Sequence, residues 1–149
     1  MIIIIDSREQ NPLEFTHEFI SGTRTEALPV GDYQAEFECG ERPPVIFERK
    51  GLGDLFGTLG TGYKRFKREL QKAESLGVRL IIIVEGTYSK VEGGYKLTKR
   101  SGVSIIRCLF TLWWKYGVVP VFCKDREEMA KYITEYYLAV GRNWKVGKK

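Results

Sequence analysis

The alternation of apolar and polar positions predicts strands in the first third of the chain. Met1–Ile5 is apolar throughout, which is typical of a strand buried on both faces. Three further β-like runs follow, joined by turns such as the one at residues 29–32: Thr23–Leu28, Tyr33–Phe37 and Val45–Phe47. Residues 11–20 include Pro12 near their start and predict a short helix or an extended arm. We therefore expect a meander of strands in this region.

Helical and strand patterns alternate in the rest of the chain. Gly57–Gly62 is rich in glycine and predicts a flexible break, and residues 87–100 predict a loop or hairpin. Helical periodicity covers Tyr63–Leu76, Ser101–Tyr116 and Asp125–Val140, and buried strands are predicted at Val78–Val84 and Val118–Phe122. A strand-rich start followed by this β-α-β-α order indicates an α/β fold with a central mixed sheet flanked by helices. We predict one domain, residues 1–140, and a basic tail, residues 141–149.

Composition narrows the class of protein. The chain has 149 residues, of which 43% are hydrophobic, so it can bury a core without disulfides, and disorder is excluded. Its three cysteines form no C-x-x-C pair, which excludes a cysteine zinc site and favours a reducing compartment. The longest aliphatic runs are far short of the roughly 20 residues that cross a bilayer. We expect a soluble intracellular protein that contacts no membrane, in the cytoplasm of a prokaryotic or virus-infected cell rather than a nucleus.

The positive charge is concentrated at the C-terminus. The net charge is +5, and residues 141–149 contribute +4 of it, through Arg142, Lys145, Lys148 and Lys149 and no acid. A basic tail is typical of proteins that bind nucleic acid, because lysine and arginine release counterions from phosphates. It is equally typical of a solvated terminus. Both interpretations stay open at this point.

Candidate chemistry lies where the β-like runs end. If residues 45–50 form one strand, Glu48 and Lys50 share a face and Arg49 points away, with Asp32 nearby if the preceding strand pairs with it. Carboxylates are suitable ligands for Mg²⁺ or Mn²⁺, and a neighbouring lysine can orient water or stabilise charge on a phosphate. A charged strand end with internal salt bridges is the plain alternative. That alternative is weakened because further acids, Asp6, Glu9 and Asp54, also lie near the ends of β-like runs.

These residues carry a resemblance to a known family. Gly31-Asp32 followed by Glu48-Arg49-Lys50-x3-Asp54 resembles the G-D-x(n)-E-R-K-x3-D signature of the XPF/Hef structure-specific nuclease family. Upstream, residues 6–9 are similar to its D-x-R-E element. The similarity extends over most of residues 2–140 and includes Arg65 on the first long helix.

The resemblance implies a restriction-endonuclease-like α/β core and an Mg²⁺- or Mn²⁺-dependent endonuclease of DNA repair and recombination. Its substrate would be branched DNA, such as flaps, forks or 3′-tailed junctions. Carried over by position, the implied metal ligands are Asp32 and Glu48, with Asp6 and Glu9 as outer or second-metal acids. Lys50 would position or activate the attacking water. Arg49 and Asp54 would support the site, and Arg65 would contact a phosphate.

Other surfaces have two interpretations each. Lys64, Lys67 and Arg68 form one basic stripe at helical spacing, which either binds DNA phosphates or is merely solvated. The aromatic residues at 113, 114 and 116 form either a base-stacking platform or, as we favour, part of the core or an interface. The last helix carries more apolar residues than one face can bury: Met129, Tyr132, Ile133, Tyr136, Tyr137 and Val140. Together with the resemblance, which implies pairing through C-terminal helices, this predicts a homodimer.

Two functions from different classes remain. One is an active metal-dependent DNA endonuclease, and the other is a non-catalytic DNA-binding or scaffold subunit of a nuclease pair. We favour the enzyme because Asp32, Glu48, Lys50 and Asp54 are all present. The G-x-x-x-x-G-K-[ST] order of a phosphate-binding loop is absent, so we expect no nucleotide cofactor.

Overall fold

A six-stranded mixed sheet with helices on both faces forms the protein. The computed structural model describes residues 1–147, with side chains as far as residue 144. The strands are β1 (Ile2–Asp6), β2 (Gly22–Glu26), β3 (Tyr33–Glu36), β4 (Val45–Lys50), β5 (Arg79–Glu85) and β6 (Val119–Cys123). The helices are α1 (Leu52–Leu59), α2 (Tyr63–Ser75), α3 (Tyr88–Glu92), α4 (Gly102–Tyr116) and α5 (Arg126–Gly147). The predicted α/β class is confirmed.

The order of the strands differs from a meander at β2. The sheet runs β2-β1-β3-β4-β5-β6, so β2 lies at the outer edge and pairs with β1 in parallel. β1 and β4 each pair antiparallel with β3, whereas β4, β5 and β6 are parallel. The predicted meander is wrong at β2 because that strand is polar on both faces and exposed, which suits an edge, whereas β1 is apolar and needs a neighbour on both sides.

Two hydrophobic cores lie on opposite faces of the sheet. One contains residues of α1, α2 and α4 packed on Ile4, Ile46 and Ile82, and the other contains α5 packed on Ile3 and Phe47. The alternation of neighbouring isoleucines between the two cores follows the two-residue period of a strand. Both faces are covered, which explains the long apolar runs of β1 and β5.

Two of the three predicted connections differ in local structure, and the third matches one of its predicted alternatives. The glycine-rich break is confined to residues 60–62, because α1 runs through Gly57 and packs its apolar residues, including Leu55 and Leu59, into the core. Residues 11–20 form an extended arm rather than a helix. The predicted loop after β5 contains the short helix α3, which begins where the Thr87 side chain accepts a hydrogen bond from the Lys90 amide.

Helix α5 packs most of its predicted apolar residues against its face of the sheet. Met129, Ile133 and Tyr137 are fully buried, and the ring of Tyr136 lies 5.4 Å from that of Phe47. The expectation of excess apolar surface here is therefore wrong, because within the described part of α5 the large apolar side chain left exposed is that of Tyr132. The helix begins after Asp125, as predicted, and continues past residue 140 to Gly147. Lys148 and Lys149 of the predicted tail lie outside the described residues, as does the side chain of Lys145.

Helix α4 instead carries the exposed apolar surface. Trp114 is 88% exposed, and Val103, Phe110 and Trp113 on the same helix are also exposed. A core position for the two tryptophans is therefore wrong. The helix faces β5 and β6 with Ile105, Leu109 and Leu112 among its buried residues, so the tryptophans project outward.

Candidate active site

An open cleft of about 650 Å³ lies at one edge of the sheet, beside α2. The C-terminal ends of β1 and β4 meet there with the start of β3, and the turn between α1 and α2 forms the opposite wall. Its lining residues are Asp6, Arg8, Gly31, Asp32, Glu48, Lys50, Gly57, Thr58, Thr61, Gly62, Arg65, Phe66 and Glu69. The cleft is therefore mainly polar, with acids on the sheet side.

Gly31 sets the position of the first central acid. Its φ of +73° lies in the left-handed region, and a Cβ atom there would lie 2.4 Å from Cγ2 of Ile46. Only glycine meets both conditions without strain. The next residue, Asp32, is tied to β4 because its amide donates to the Phe47 carbonyl and its Oδ2 accepts from the Arg49 amide at 2.7 Å. The glycine thus allows the Asp32 carboxylate to face the cleft.

Asp32, Glu48 and Lys50 come together as predicted. Glu48 and Lys50 both line the cleft, two residues apart on β4, and the Lys50 Nζ lies 5.8 Å from the centre of the Phe66 ring. Burial and the neighbouring Asp32 charge raise the pKa of Glu48 to about 8. Burial likewise raises the pKa of Asp32, against the lowering effect of the Arg49 amide. The pair is short of positive charge, so one proton is retained near neutral pH when no cation is bound.

Asp6 has a different environment. Its carboxylate is 2% exposed and accepts hydrogen bonds from the Arg8 Nε at 2.9 Å, the Arg8 amide at 3.2 Å and the Leu28 amide at 2.8 Å. Burial acts in the opposite direction, but these donors together hold the pKa of Asp6 below its usual value. A carboxylate already satisfied by protein donors is poorly suited to bind a metal, so the expected metal role of Asp6 does not fit this geometry.

Glu9 lies outside the cleft. Arg49 points away from Lys50, as predicted. Its Nε and Nη2 donate hydrogen bonds to the Glu9 carboxylate at 2.7 Å and 2.8 Å. The Tyr33 hydroxyl donates to the same carboxylate at 3.0 Å. Although burial opposes it, this pairing lowers the pKa of Glu9. The metal role of Glu9 stays a prediction that this pairing does not favour, and Arg49 contacts the structure behind the site.

The predicted residues on α1 and α2 are divided between the cleft and the surface. Arg65 lines the cleft, whereas Lys64, Lys67 and Arg68, the predicted basic stripe, do not. Asp54 is exposed in the first turn of α1 and is not among the lining residues. Its negative charge there favours the helix, so its position supports α1 rather than the reacting groups.

Comparison with known proteins identifies the family. The family model of the ERCC4 domain matches residues 5–136. The chain belongs to the ERCC4-domain family. This match confirms the predicted resemblance. No curated protein sequence matches the chain significantly.

Solved structures share the fold of this ERCC4 domain. XPF from Aeropyrum pernix is 20% identical with a TM-score of 0.66, over 97% of this chain and 70% of that one. XPF from Aeropyrum pernix in complex with DNA is also 20% identical, with a TM-score of 0.65, over 95% of this chain and 66% of that one. At this identity the likeness establishes the fold. The predicted mixed sheet flanked by helices is confirmed by it.

Sequence reasoning missed two charged residues of the cleft. Arg8 was seen only as part of a motif, and Glu69 was not singled out, although it lies one helical turn after Arg65 and therefore on the same face of α2. That spacing was the available signal. The Glu69 charge reaches Glu48 and adds to the rise of its pKa, which burial dominates.

The donors in the cleft fit a hard divalent cation that keeps its waters. Within residues 1–147, no group of three or more His, Cys, Asp or Glu side chains converges closely enough to hold a metal ion. Mg²⁺ commonly binds through one or two carboxylates, several waters and the oxygens of a substrate phosphate. The adjacent Asp32 and Glu48 meet that requirement. Burial is the main cause of their raised pKa values, against the lowering effect of the Lys50 charge, and a bound cation would lower those values further. In the same part of the chain, no helix is long and apolar enough to span a bilayer.

Proposed function

We propose that this ERCC4 domain hydrolyses phosphodiester bonds in DNA with the help of Mg²⁺ or Mn²⁺. The observation that carries the proposal is the Asp32–Glu48 carboxyl pair next to Lys50 in an open cleft. A structural ion pair would have placed a cation directly on these acids, as Arg8 does on Asp6 and Arg49 does on Glu9. Among the described residues, Asp32 and Glu48 have no arginine partner of this kind, so their carboxylates can accept a bound cation.

Each residue of the cleft has a defined task in this proposal. Asp32 and Glu48 would hold the cation. When bound, such an ion supplies charge to a phosphate and makes water more acidic. Lys50 shares their face of β4, and its ammonium group can donate to a phosphate oxygen and stabilise the added negative charge in the transition state. Arg65, on the opposite wall, is placed to bind a neighbouring phosphate.

The substrate we propose is branched DNA, such as a flap, a fork or a 3′-tailed junction. The open shape of the cleft supports a backbone substrate because its charged rim suits phosphates. The structural relative XPF from Aeropyrum pernix has been solved with DNA, which also supports it. The basic stripe of Lys64, Lys67 and Arg68 continues from Arg65 along α2 and would extend the contact.

Cleavage of labelled DNA tests the proposal directly. Flap, fork and plain duplex are each incubated with Mg²⁺, Mn²⁺ or EDTA, using the wild type, Asp32→Asn and Glu48→Gln. The matched control is Glu74→Gln, an exposed acid on α2 outside the cleft. We expect metal-dependent cutting that both cleft variants abolish while still binding DNA. A wild type that binds these substrates but cuts none under any metal would instead support the non-catalytic scaffold.

We also propose that the chain forms a homodimer, with α4 rather than α5 as the supporting surface. The exposed Val103, Phe110, Trp113 and Trp114 make an apolar face of the kind found at interfaces. Trp114→Lys, compared with Lys115→Ala on the same helix, tests this by light scattering at micromolar concentration. We expect only the tryptophan variant to be monomeric. If the wild type stays monomeric up to a protein concentration of about 100 µM, the proposed dimer is contradicted.

A further inference from the structure

Arg8 is an exposed side chain that the protein holds in one orientation. It lies at the rim of the cleft with 68% of the side chain exposed. Its Nε donates to Asp6 Oδ2 at 2.9 Å, and its Nη2 donates to Asp6 Oδ1 at 3.3 Å and to the Leu28 carbonyl at 3.1 Å. A long exposed side chain ordinarily gains little from such pairing, because ordering it costs rotamer entropy.

The partner that holds Arg8 is buried and itself fixed. Asp6 is 2% exposed at the end of β1, and its Oδ1 also accepts from the Leu28 amide at 2.8 Å. The orientation of the guanidinium group is thus determined by the core of the protein. Within the described residues, the Nη1 group makes no hydrogen bond, and Arg8 lines the same cleft as Asp32 and Glu48.

We propose that Arg8 binds a phosphate of the DNA substrate and that Asp6 is the positioning residue that keeps Arg8 ready to do so. This inference rests on the proposed function, and it replaces the metal role expected for Asp6. A guanidinium group matches the geometry of a phosphate, and a group already ordered loses less entropy on binding. Arg65 lines the same cleft from α2, so the cleft offers a second arginine for the DNA backbone.

The first test measures DNA binding without metal. Fluorescence anisotropy with a labelled fork in EDTA compares wild type, Arg8→Ala, Arg8→Lys and the control Arg79→Ala, an exposed arginine at the far end of β5. We expect Arg8→Ala to weaken binding about tenfold, as for loss of one charged hydrogen bond. The slope of log K against log salt should fall by about 0.9 for duplex contacts. Arg8→Lys should restore the slope but not the full affinity. Unchanged affinity and slope in Arg8→Ala would overturn the inference.

The second test separates positioning by Asp6 from metal binding. Asp6→Asn is made alone and combined with Arg8→Ala. If Asp6 acts through Arg8, Asp6→Asn weakens DNA binding in the wild-type background but has no further effect once Arg8 is alanine. If Asp6 were a metal ligand, the metal concentration for half-maximal cleavage would rise in both backgrounds, and the positioning role would be refuted. The double variant also controls for folding, because it leaves no unpaired charge at this buried position.

The two proposals can fail separately. A wild type that never cleaves, combined with an Arg8→Ala variant that loses affinity and salt dependence, would refute the nuclease while retaining the phosphate contact. A wild type that cleaves normally, combined with an Arg8→Ala variant with unchanged KM and salt slope, would refute the contact while retaining the nuclease.

Discussion

The ion pair between Arg49 and Glu9 gives the sharpest stability prediction. It lies behind the cleft with its side chains only 14% and 7% exposed, and two hydrogen bonds of 2.7 and 2.8 Å join them. Arg49→Met removes both bonds and leaves Glu9 with the Tyr33 hydroxyl as its remaining side-chain donor. Breaking a pair buried to this degree costs about 3–5 kcal/mol, since a charge is left without compensation. We expect this loss in the free energy of unfolding.

A double-mutant cycle in urea at pH 7 measures the pair. Arg49→Met, Glu9→Gln and the double variant are compared, and we expect the double variant to be more stable than the sum of the single losses predicts. The control cycle uses Lys131 and Glu127 on α5, whose side chains are 74% and 78% exposed and which should couple by about 0.3–0.5 kcal/mol. A coupling of Arg49 with Glu9 no larger than that of the control would refute the assignment of Arg49 to structural support.

Three further predictions concern the cleft. Gly31→Ala should lower the free energy of unfolding by about 2–4 kcal/mol, because strain at positive φ adds to the clash with Ile46. The control Gly40→Ala, at φ +84° but in open space, should lower it by about 1–2 kcal/mol. Equal losses for the two variants in urea unfolding would exclude the clash as a cause. The raised pKa values of Glu48 and Asp32 mean that the folded protein keeps protons which the unfolded chain releases above pH about 4.5, so stability should fall as pH rises from there to about 8. Glu48→Gln should flatten this profile, Mg²⁺ should raise the wild-type urea midpoint at pH 8, and a flat wild-type profile would contradict the shifts. Glu69→Gln should move the pH for half-maximal Mg²⁺ binding, measured by calorimetry, to lower values, because one negative charge near the acid pair is lost; a shift upward would be the opposite of this reasoning.

The parts of the site that sequence could predict depend on local geometry. The two-residue period of a strand was enough to place Glu48 and Lys50 on one face and Arg49 on the other. Placing Asp32 beside Glu48 and Lys50 required only one further correct prediction, that β3 pairs with β4. The α/β class followed in the same way from the lengths and periods of the segments.

The partners of Asp6 and Glu9 are not evident from the spacing of the acids along the chain. Asp6 is satisfied by Arg8 and by the Leu28 amide, and Glu9 is satisfied by Arg49, which is 40 residues away. A pattern of acids at strand ends shows that they share an edge but not which of them already has a cation as partner. The same limit applies to β2, whose place at the edge follows from the burial of its neighbours, and to the two tryptophans of α4.

The acid pair in the cleft has a consequence for how this sequence can change over time. Replacing Asp32 or Glu48 by a neutral residue would remove buried negative charge, while the Arg49–Glu9 and Arg8–Asp6 pairs that support the surrounding structure would stay in place. Loss of the acids is therefore a downhill step for folding. A lineage that no longer needed the proposed chemistry would lose these two carboxylates early and keep a well-folded protein. The chemistry we propose therefore has a cost in folding stability.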